Sequence, residues 1–210
     1  MLLTGLTVLV IGASHLAKPT YLIKTLHDEL TERGAQVHSV GVCGVLPSEW
    51  LKKTISRCGG AERREAQPMI LSMTSAAQTV PLATLLEAQK PDVVVIVMGD
   101  NLANYKASSF SRADVRKELQ SLTTLLASKS IRCVWVGPAW GENDKLTGKT
   151  FKRTKEISAF LESQVKPCEY VNSLEMSKPG EWQTTDGQHF FAEGYQAWGA
   201  GIASGVERLP

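Results

Sequence analysis

A serine, a histidine and an aspartate near opposite ends of the chain have the residue types that acyl transfer requires. Ser14 lies in Gly12-Ala13-Ser14-His15, and Asp186-Gly187-Gln188-His189-Phe190 lies close to the C-terminus. A serine hydroxyl is a poor nucleophile until an imidazole takes its proton, and that imidazole must be held in one tautomer. His189 is the candidate base. Asp186, in the same short turn, is placed to accept a hydrogen bond from the other ring nitrogen. The oxyanion formed on attack needs fixed donors, and one such donor is worth about 10²–10³ in rate. The backbone N–H groups of Ser14 and Gly44 and the side-chain amide of Asn101 are the candidates, with Asp100 competing beside Asn101.

The elements that must position these residues are legible as apolar runs alternating with helical patterns. Strands are predicted at Leu6–Ile11, Gln36–Val42, Asp92–Met98, Arg132–Val136 and Glu169–Ser173. Leu22, Leu26 and Leu30 recur at helical spacing between Pro19 and Gly34, the punctuation of a helix start and stop. Ser111 and Asp114 open a second helix carrying Val115, Leu119, Leu122 and Leu126. Phe151 to Val165 and Ala192 to Arg208 read as two more, and the stretch from Cys58 to Pro81 reads as a long loop. Repeated β-α units imply an α/β fold, a parallel sheet of five strands covered by helices on both faces, as a single domain over residues 1–210. In such a sheet ligands bind beyond the carboxyl ends of the strands. Ser14, Gly44, Asn101 and the Asp186–His189 turn all fall at that edge.

The bulk properties exclude several classes. The charged residues of this 210-residue chain are scattered and its net charge is +2, which gives no basic face for nucleic acid. No apolar run reaches the ~18 residues of a membrane span. Leu6–Ile11 lacks the basic flank and small-residue cleavage pattern of a signal peptide and reads as the first strand. No histidine, cysteine or carboxylate spacing suggests a metal site, so none is expected, and His15, His27 and His38 are set aside as non-functional. The cysteines, Cys43, Cys58, Cys133 and Cys168, leave two readings open: four buried thiols, or two disulfides pairing Cys43 with Cys58 and Cys133 with Cys168. The second would place the protein in the periplasm or outside the cell, the location favoured here. Trp140 and Trp182 are predicted on loops at the active edge, where an aromatic face could stack on a sugar or pack an acyl chain. Trp50, Trp135 and Trp198 read as packing residues.

Gly12-x-Ser14 after the first strand, Gly44 after the second, Gly99-x-Asn101 after the third and Asp186-x-x-His189 near the C-terminus resemble, in order, the four blocks of the SGNH/GDSL hydrolase superfamily. The resemblance spans nearly the whole chain. It implies a three-layer, flavodoxin-like α/β/α sandwich and cofactor-free ester hydrolysis or acyl transfer through a serine acyl-enzyme. Carried over, Ser14 is nucleophile and oxyanion donor, Gly44 and Asn101 are further donors, and Asp186 and His189 are orienter and base. Two positions depart from the family pattern. Ala13 stands where the family usually has aspartate, which bears on preorganisation of the loop, and Leu102 follows Asn101 where aspartate is usual.

The expected substrate is a small O-acyl ester, acetyl on a carbohydrate first among them. A polysaccharide O-acetyltransferase would use the same groups with a sugar hydroxyl displacing water. A lipase or thioesterase is a further enzymatic alternative, and a catalytically inactive carbohydrate- or cell-wall-binding protein that keeps the fold is the non-enzymatic one.

Overall fold

The computed structural model describes residues 3–208. It has strands β1 (Thr7–Gly12), β2 (Gln36–Val42), β3 (Gly60–Arg64), β4 (Ile70–Ser72), β5 (Val93–Val97), β6 (Arg132–Val136) and β7 (Glu169–Val171). The helices are α1 (Leu22–Glu32), α2 (Leu82–Gln89), α3 (Arg112–Ser128), α4 (Phe151–Gln164) and α5 (Ala192–Glu207). All seven strands form one sheet in the order β4-β3-β2-β1-β5-β6-β7. The five expected strands are present and mutually parallel, from β2 across β1, β5 and β6 to β7.

The sheet therefore has seven strands, not five, because the stretch read as a loop contains β3 and β4, both antiparallel to their neighbours. The sequence hides them for physical reasons. β3 reads Gly-Ala-Glu-Arg-Arg, so charge masks its alternation. β4 is only three residues long and is the outermost strand, with Ile70 62% and Leu71 56% exposed. An edge strand has one side to satisfy and needs no continuous apolar run. The short helix α2, which follows Pro81, also went unmarked in the sequence.

Alternate residues of the central strands feed two cores. Leu9, Ile11, Val94 and Ile96 pack against α2, α3 and α4, while Val8, Val10, Val93, Val95 and Val97 pack against α1 and α5. That is the three-layer sandwich, and it explains why the β5 sequence VVVIV is apolar at every position. Trp50, Trp135 and Trp198 are buried in these cores. The helix punctuation is realised in hydrogen bonds. Ala35 N–H donates to the Leu30 carbonyl and Gly34 N–H to that of Thr31, closing α1 as a Schellman motif. The Ser111 hydroxyl accepts from Asp114 N–H at the start of α3, and the Thr150 hydroxyl accepts from Arg153 N–H at the start of α4.

β2 lies on one side of β1 and β5 on the other, so the strand order reverses at β1 and opens a crevice at its carboxyl end. Among the described residues, no helix is long and apolar enough to cross a membrane.

Candidate active site

β1 ends at Gly12, and a tight 3-10 turn over Ser14–Leu16 follows at once. β5 gives way to a similar turn at Asp100–Leu102. A loop before α5 completes the arrangement. It is pinched by Thr185 N–H donating to the His189 carbonyl at 2.8 Å and Phe191 N–H to that of Gln183 at 3.2 Å. Glu142 anchors the loop from outside by accepting from Thr184 N–H at 2.7 Å.

These three segments place Ser14 Oγ 2.8 Å from His189 Nε2, and His189 Nδ1 2.7 Å from Asp186 Oδ2. Asp186 Oδ1 also accepts from the backbone N–H groups of His189 and Gln188, at 2.8 and 3.0 Å. Partial burial pushes the Asp186 carboxyl up, but the His189 backbone N–H, the His189 ring and Gln188 N–H outweigh it and hold the carboxyl below its ordinary range. A carboxylate only accepts, so Nδ1 carries the proton and Nε2 is left to accept from the Ser14 hydroxyl. The Tyr21 ring stacks on His189, with centroids 5.6 Å apart and planes within 17°.

On the opposite wall, Gly44 turns the chain after β2 with φ +80°. A Cβ there would stand 3.0 Å from Arg57 Cβ, so backbone conformation and space both favour glycine. Arg57 donates to the Gly44 carbonyl and binds Glu49 through both guanidinium ends, at 2.9 and 3.0 Å. The turn is also stapled by the Cys43–Cys58 disulfide. Asn101 Nδ2 donates to the Val45 carbonyl at 2.9 Å. That bond ties the turn after β5 to the turn after β2 and uses one of the two amide N–H groups. Ala13 is buried.

The second disulfide joins Cys133, early in β6, to Cys168, just before β7, at the far end of the sheet. Two disulfides and no free cysteine among the described residues agree with an extracytoplasmic protein. Trp140 donates its indole N–H to the Leu174 carbonyl at 2.9 Å and packs edge-on to Phe151. Trp182 packs edge-on to Phe190 and lines a cleft of about 730 Å³ with Glu181, Gln183, Phe191 and Glu193. Among the described residues, no group of three or more His, Cys, Asp or Glu could hold a metal ion.

Directly behind the site lies a polar cluster that sequence reasoning did not assemble. His15, adjacent to Ser14 in sequence, is buried with Nε2 2.9 Å from Asp100 Oδ2 and Nδ1 2.9 Å from the Tyr195 hydroxyl. Asp100 Oδ1 accepts from Lys149 Nζ at 2.8 Å and from the Tyr105 hydroxyl at 2.5 Å. Lys149 has no exposed surface, and its ammonium also donates to the Ala139 carbonyl at 3.1 Å. The lysine carries no local signal, since its partner lies 49 residues away.

No protein-family model matches the sequence. The fold is similar to that of a GDSL-like lipase from Bacteroides thetaiotaomicron, with a TM-score of 0.59 at 14% identity over 96% of this chain and 88% of the other. It is equally similar to the acetyl xylan esterase AlAXEase, with a TM-score of 0.59 at 17% identity over 95% and 99% of the two chains. Protein BcsX of Komagataeibacter xylinus is 36% identical over 202 residues, 96% of this chain and 76% of that protein. The chain belongs to one family with Protein BcsX, and its fold is the one shared by the GDSL-like lipase and the acetyl xylan esterase.

Proposed function

We propose that the protein is an exported serine esterase that removes small O-acyl groups, acetyl first among them, from a carbohydrate. The observation that carries this reading is the unbroken hydrogen-bond chain from Ser14 Oγ through His189 to Asp186. In this reading Ser14 attacks the ester carbonyl as His189 takes its proton, and Asp186 steadies the imidazolium. The Ser14 and Gly44 backbone N–H groups and the remaining Asn101 amide N–H receive the oxyanion. His189 then protonates the leaving alkoxide, and a water activated by the same ring releases the acyl group. No step requires a cofactor.

The carbohydrate half of the proposal is supported by the cleft beside the loop that carries Asp186 and His189. Its walls combine aromatic surface, with Phe191 49% exposed, and the amide and carboxylate groups of Gln183, Glu181 and Glu193. Stacking faces with planar hydrogen-bonding groups suit a sugar ring and its hydroxyls. One structural neighbour is also an acetyl xylan esterase. The two disulfides support a periplasmic or secreted location. The same cleft could seat a sugar hydroxyl in place of water, and the enzyme would then be an O-acetyltransferase.

The test is hydrolysis of p-nitrophenyl acetate beside Ser14→Ala, followed by acetylated xylo-oligosaccharides with and without unacetylated acceptor sugars. Serine-dependent release of acetate into water supports the esterase. Acetate that moves to the added sugar instead favours the transferase. Equal rates in wild type and Ser14→Ala overturn both.

A further inference from the structure

Four of the segments around the crevice each contribute a member to the buried cluster behind it. His15 follows Ser14 in the turn after β1, and Asp100 precedes Asn101 in the turn after β5. Ala139 and Lys149 belong to the segment between β6 and α4, and Tyr195 lies in the first turns of α5, just beyond His189. Hydrogen-bond chemistry assigns a direction to every link. Asp100 is held ionised: burial alone would push its carboxyl up, but Lys149 beside it and the His15 hydrogen bond bring it far below its ordinary value. It can therefore only accept, and His15 Nε2 must carry the proton. His15 Nδ1 is then an acceptor, and the Tyr195 hydroxyl donates to it. Burial keeps Tyr195 protonated. The result is one oriented chain, Tyr195 to His15 to Asp100, with Lys149 and Tyr105 donating to the same carboxylate.

We propose that His15, Asp100 and Lys149 are positioning residues, a buried charge-balanced strut that fixes the spacing between the Ser14 nucleophile and the Asn101 oxyanion donor. The inference rests on the esterase reading of the site and extends it to residues that touch neither substrate nor reacting atoms. Its basis is the pairing of adjacent positions. The backbone that carries Ser14 also carries His15, the backbone that carries Asn101 also carries Asp100, and a 2.9 Å bond joins the two side chains. A shift of either turn must stretch that bond or rotate the imidazole. Rotation is opposed at the other ring nitrogen by the Tyr195 hydroxyl and by the Trp198 ring, which packs perpendicular to the imidazole with centroids 4.9 Å apart. Lys149 makes the strut stable. Without it, Asp100 would be a buried carboxylate held only by neutral donors, and an uncompensated buried charge is strongly destabilising.

The strut also has an electrostatic consequence for the reaction. The His15 ring lies 5.0 Å from that of His189, which must become cationic while Ser14 attacks. The groups facing His15 are Asp100, Lys149, Tyr195 and His189. Burial is the leading influence on its titration and favours the neutral ring, with His189 and Lys149 acting in the same direction against Asp100. A neutral His15 adds no positive charge beside the imidazolium of His189.

The experiment compares wild type with Asp100→Asn and with the double variant Asp100→Asn/Lys149→Met, which removes both buried charges together and spares the fold an unpaired ammonium. Circular dichroism and thermal melting select folded proteins. The expected result for the folded double variant is a kcat on p-nitrophenyl acetate about 10- to 100-fold below wild type, as for a displacement of about 1 Å at the reacting groups, with KM within about threefold. A double variant that folds and keeps wild-type kcat overturns the proposal. Nitrogen-15 NMR of the imidazoles provides a reading independent of turnover. His15 in wild type is expected as the neutral Nε2–H tautomer at pH 7, with its titration moved below that of an ordinary histidine by burial, and the pattern is expected to change in Asp100→Asn. A His15 that is cationic at pH 7, or that holds its proton on Nδ1, overturns the strut whether or not the protein hydrolyses esters. An inactive wild type with His15 in the expected tautomer would overturn the esterase reading while leaving the strut supported.

Discussion

Ser14 and His189 stand 175 residues apart in the chain and 2.8 Å apart in space, and Asp186 closes the far side of the same imidazole at 2.7 Å. The carboxylate sets the tautomer. Asp186→Asn presents an amide that can donate to Nδ1, which frees the ring to carry its proton on Nε2, where it can no longer accept from Ser14. The expected outcome is a fall of about 10³–10⁴ in kcat with a nearly unchanged melting temperature, because the site is partly exposed and the side chain is isosteric. Steady-state kinetics on p-nitrophenyl acetate, with circular dichroism as the fold control, makes the check. Wild-type turnover in Asp186→Asn would remove Asp186 from the mechanism.

The oxyanion donors are expected to show different signatures. Asn101→Ala removes a side-chain amide and loses its bond to the Val45 carbonyl, so kcat should drop about 10²–10³-fold with KM little changed. Gly44→Ala should lower both activity and stability. The backbone there has φ +80°, a conformation that costs a residue with a Cβ about 1–2 kcal/mol, and the new Cβ presses on Arg57. Kinetics and urea titration of the two variants separate these patterns. An Asn101→Ala enzyme with unaltered kcat would assign the oxyanion to backbone donors alone.

The parallel core of the fold and the four site blocks were legible because each depends on local pattern. A strand buried on both faces must read as an apolar run, as β5 does, and a tight turn at a strand end carries small residues, as Gly12 and Ala13 do. What was not legible depends on partners distant in sequence. β3 is held by β2 on one side and β4 on the other rather than by its own hydrophobicity, so Glu62, Arg63 and Arg64 disguised it. His15 was set aside because its neighbours in sequence say nothing of Asp100 and Tyr195, which lie 85 and 180 residues away. Lys149 carries no signal in its local sequence. Its burial follows from a carboxylate that only the folded topology brings beside it.

The two disulfides are expected to be separable in function. Cys133–Cys168 ties β6 to the start of β7 at the sheet end away from Ser14, so replacing both cysteines with serine should cost about 2–4 kcal/mol of stability while kcat stays near wild type. Cys43–Cys58 adjoins Gly44, and its loss should cost about 3 kcal/mol and also lower kcat by loosening the oxyanion wall. Urea unfolding and ester hydrolysis of the two double-serine variants provide the comparison. Equal kcat losses in both would mean that the disulfides act through global stability alone.

Stability is expected to fall on mild acidification, with His27 as an identifiable cause. Its ring is buried between α1 and β2, with Nε2–H donating to the Glu65 carbonyl at 3.0 Å and Nδ1 accepting from the Ser39 hydroxyl at 2.9 Å. The neutral ring satisfies both bonds, with the Ser39 hydroxyl as donor to Nδ1. Desolvation, reinforced by Arg63, pushes its pKa down to about 4 from the ordinary 6.5, against the opposing Glu65 hydrogen bond and the Asp28 charge. Between those two values the unfolded chain takes up a proton that the folded chain refuses, so unfolding free energy rises with pH across that window. The contribution is complete above about pH 6.5 and is lost as pH falls towards 4, with a span of about 3 kcal/mol at most. His15, also shifted down, adds to the trend with the same sign. Urea titrations at intervals from pH 7.5 to 4.5 should show the midpoint dropping in wild type, and His27→Gln should flatten that slope while costing stability at pH 7.5. A slope identical in wild type and His27→Gln would clear His27 and leave His15 and the carboxylates to account for acid sensitivity.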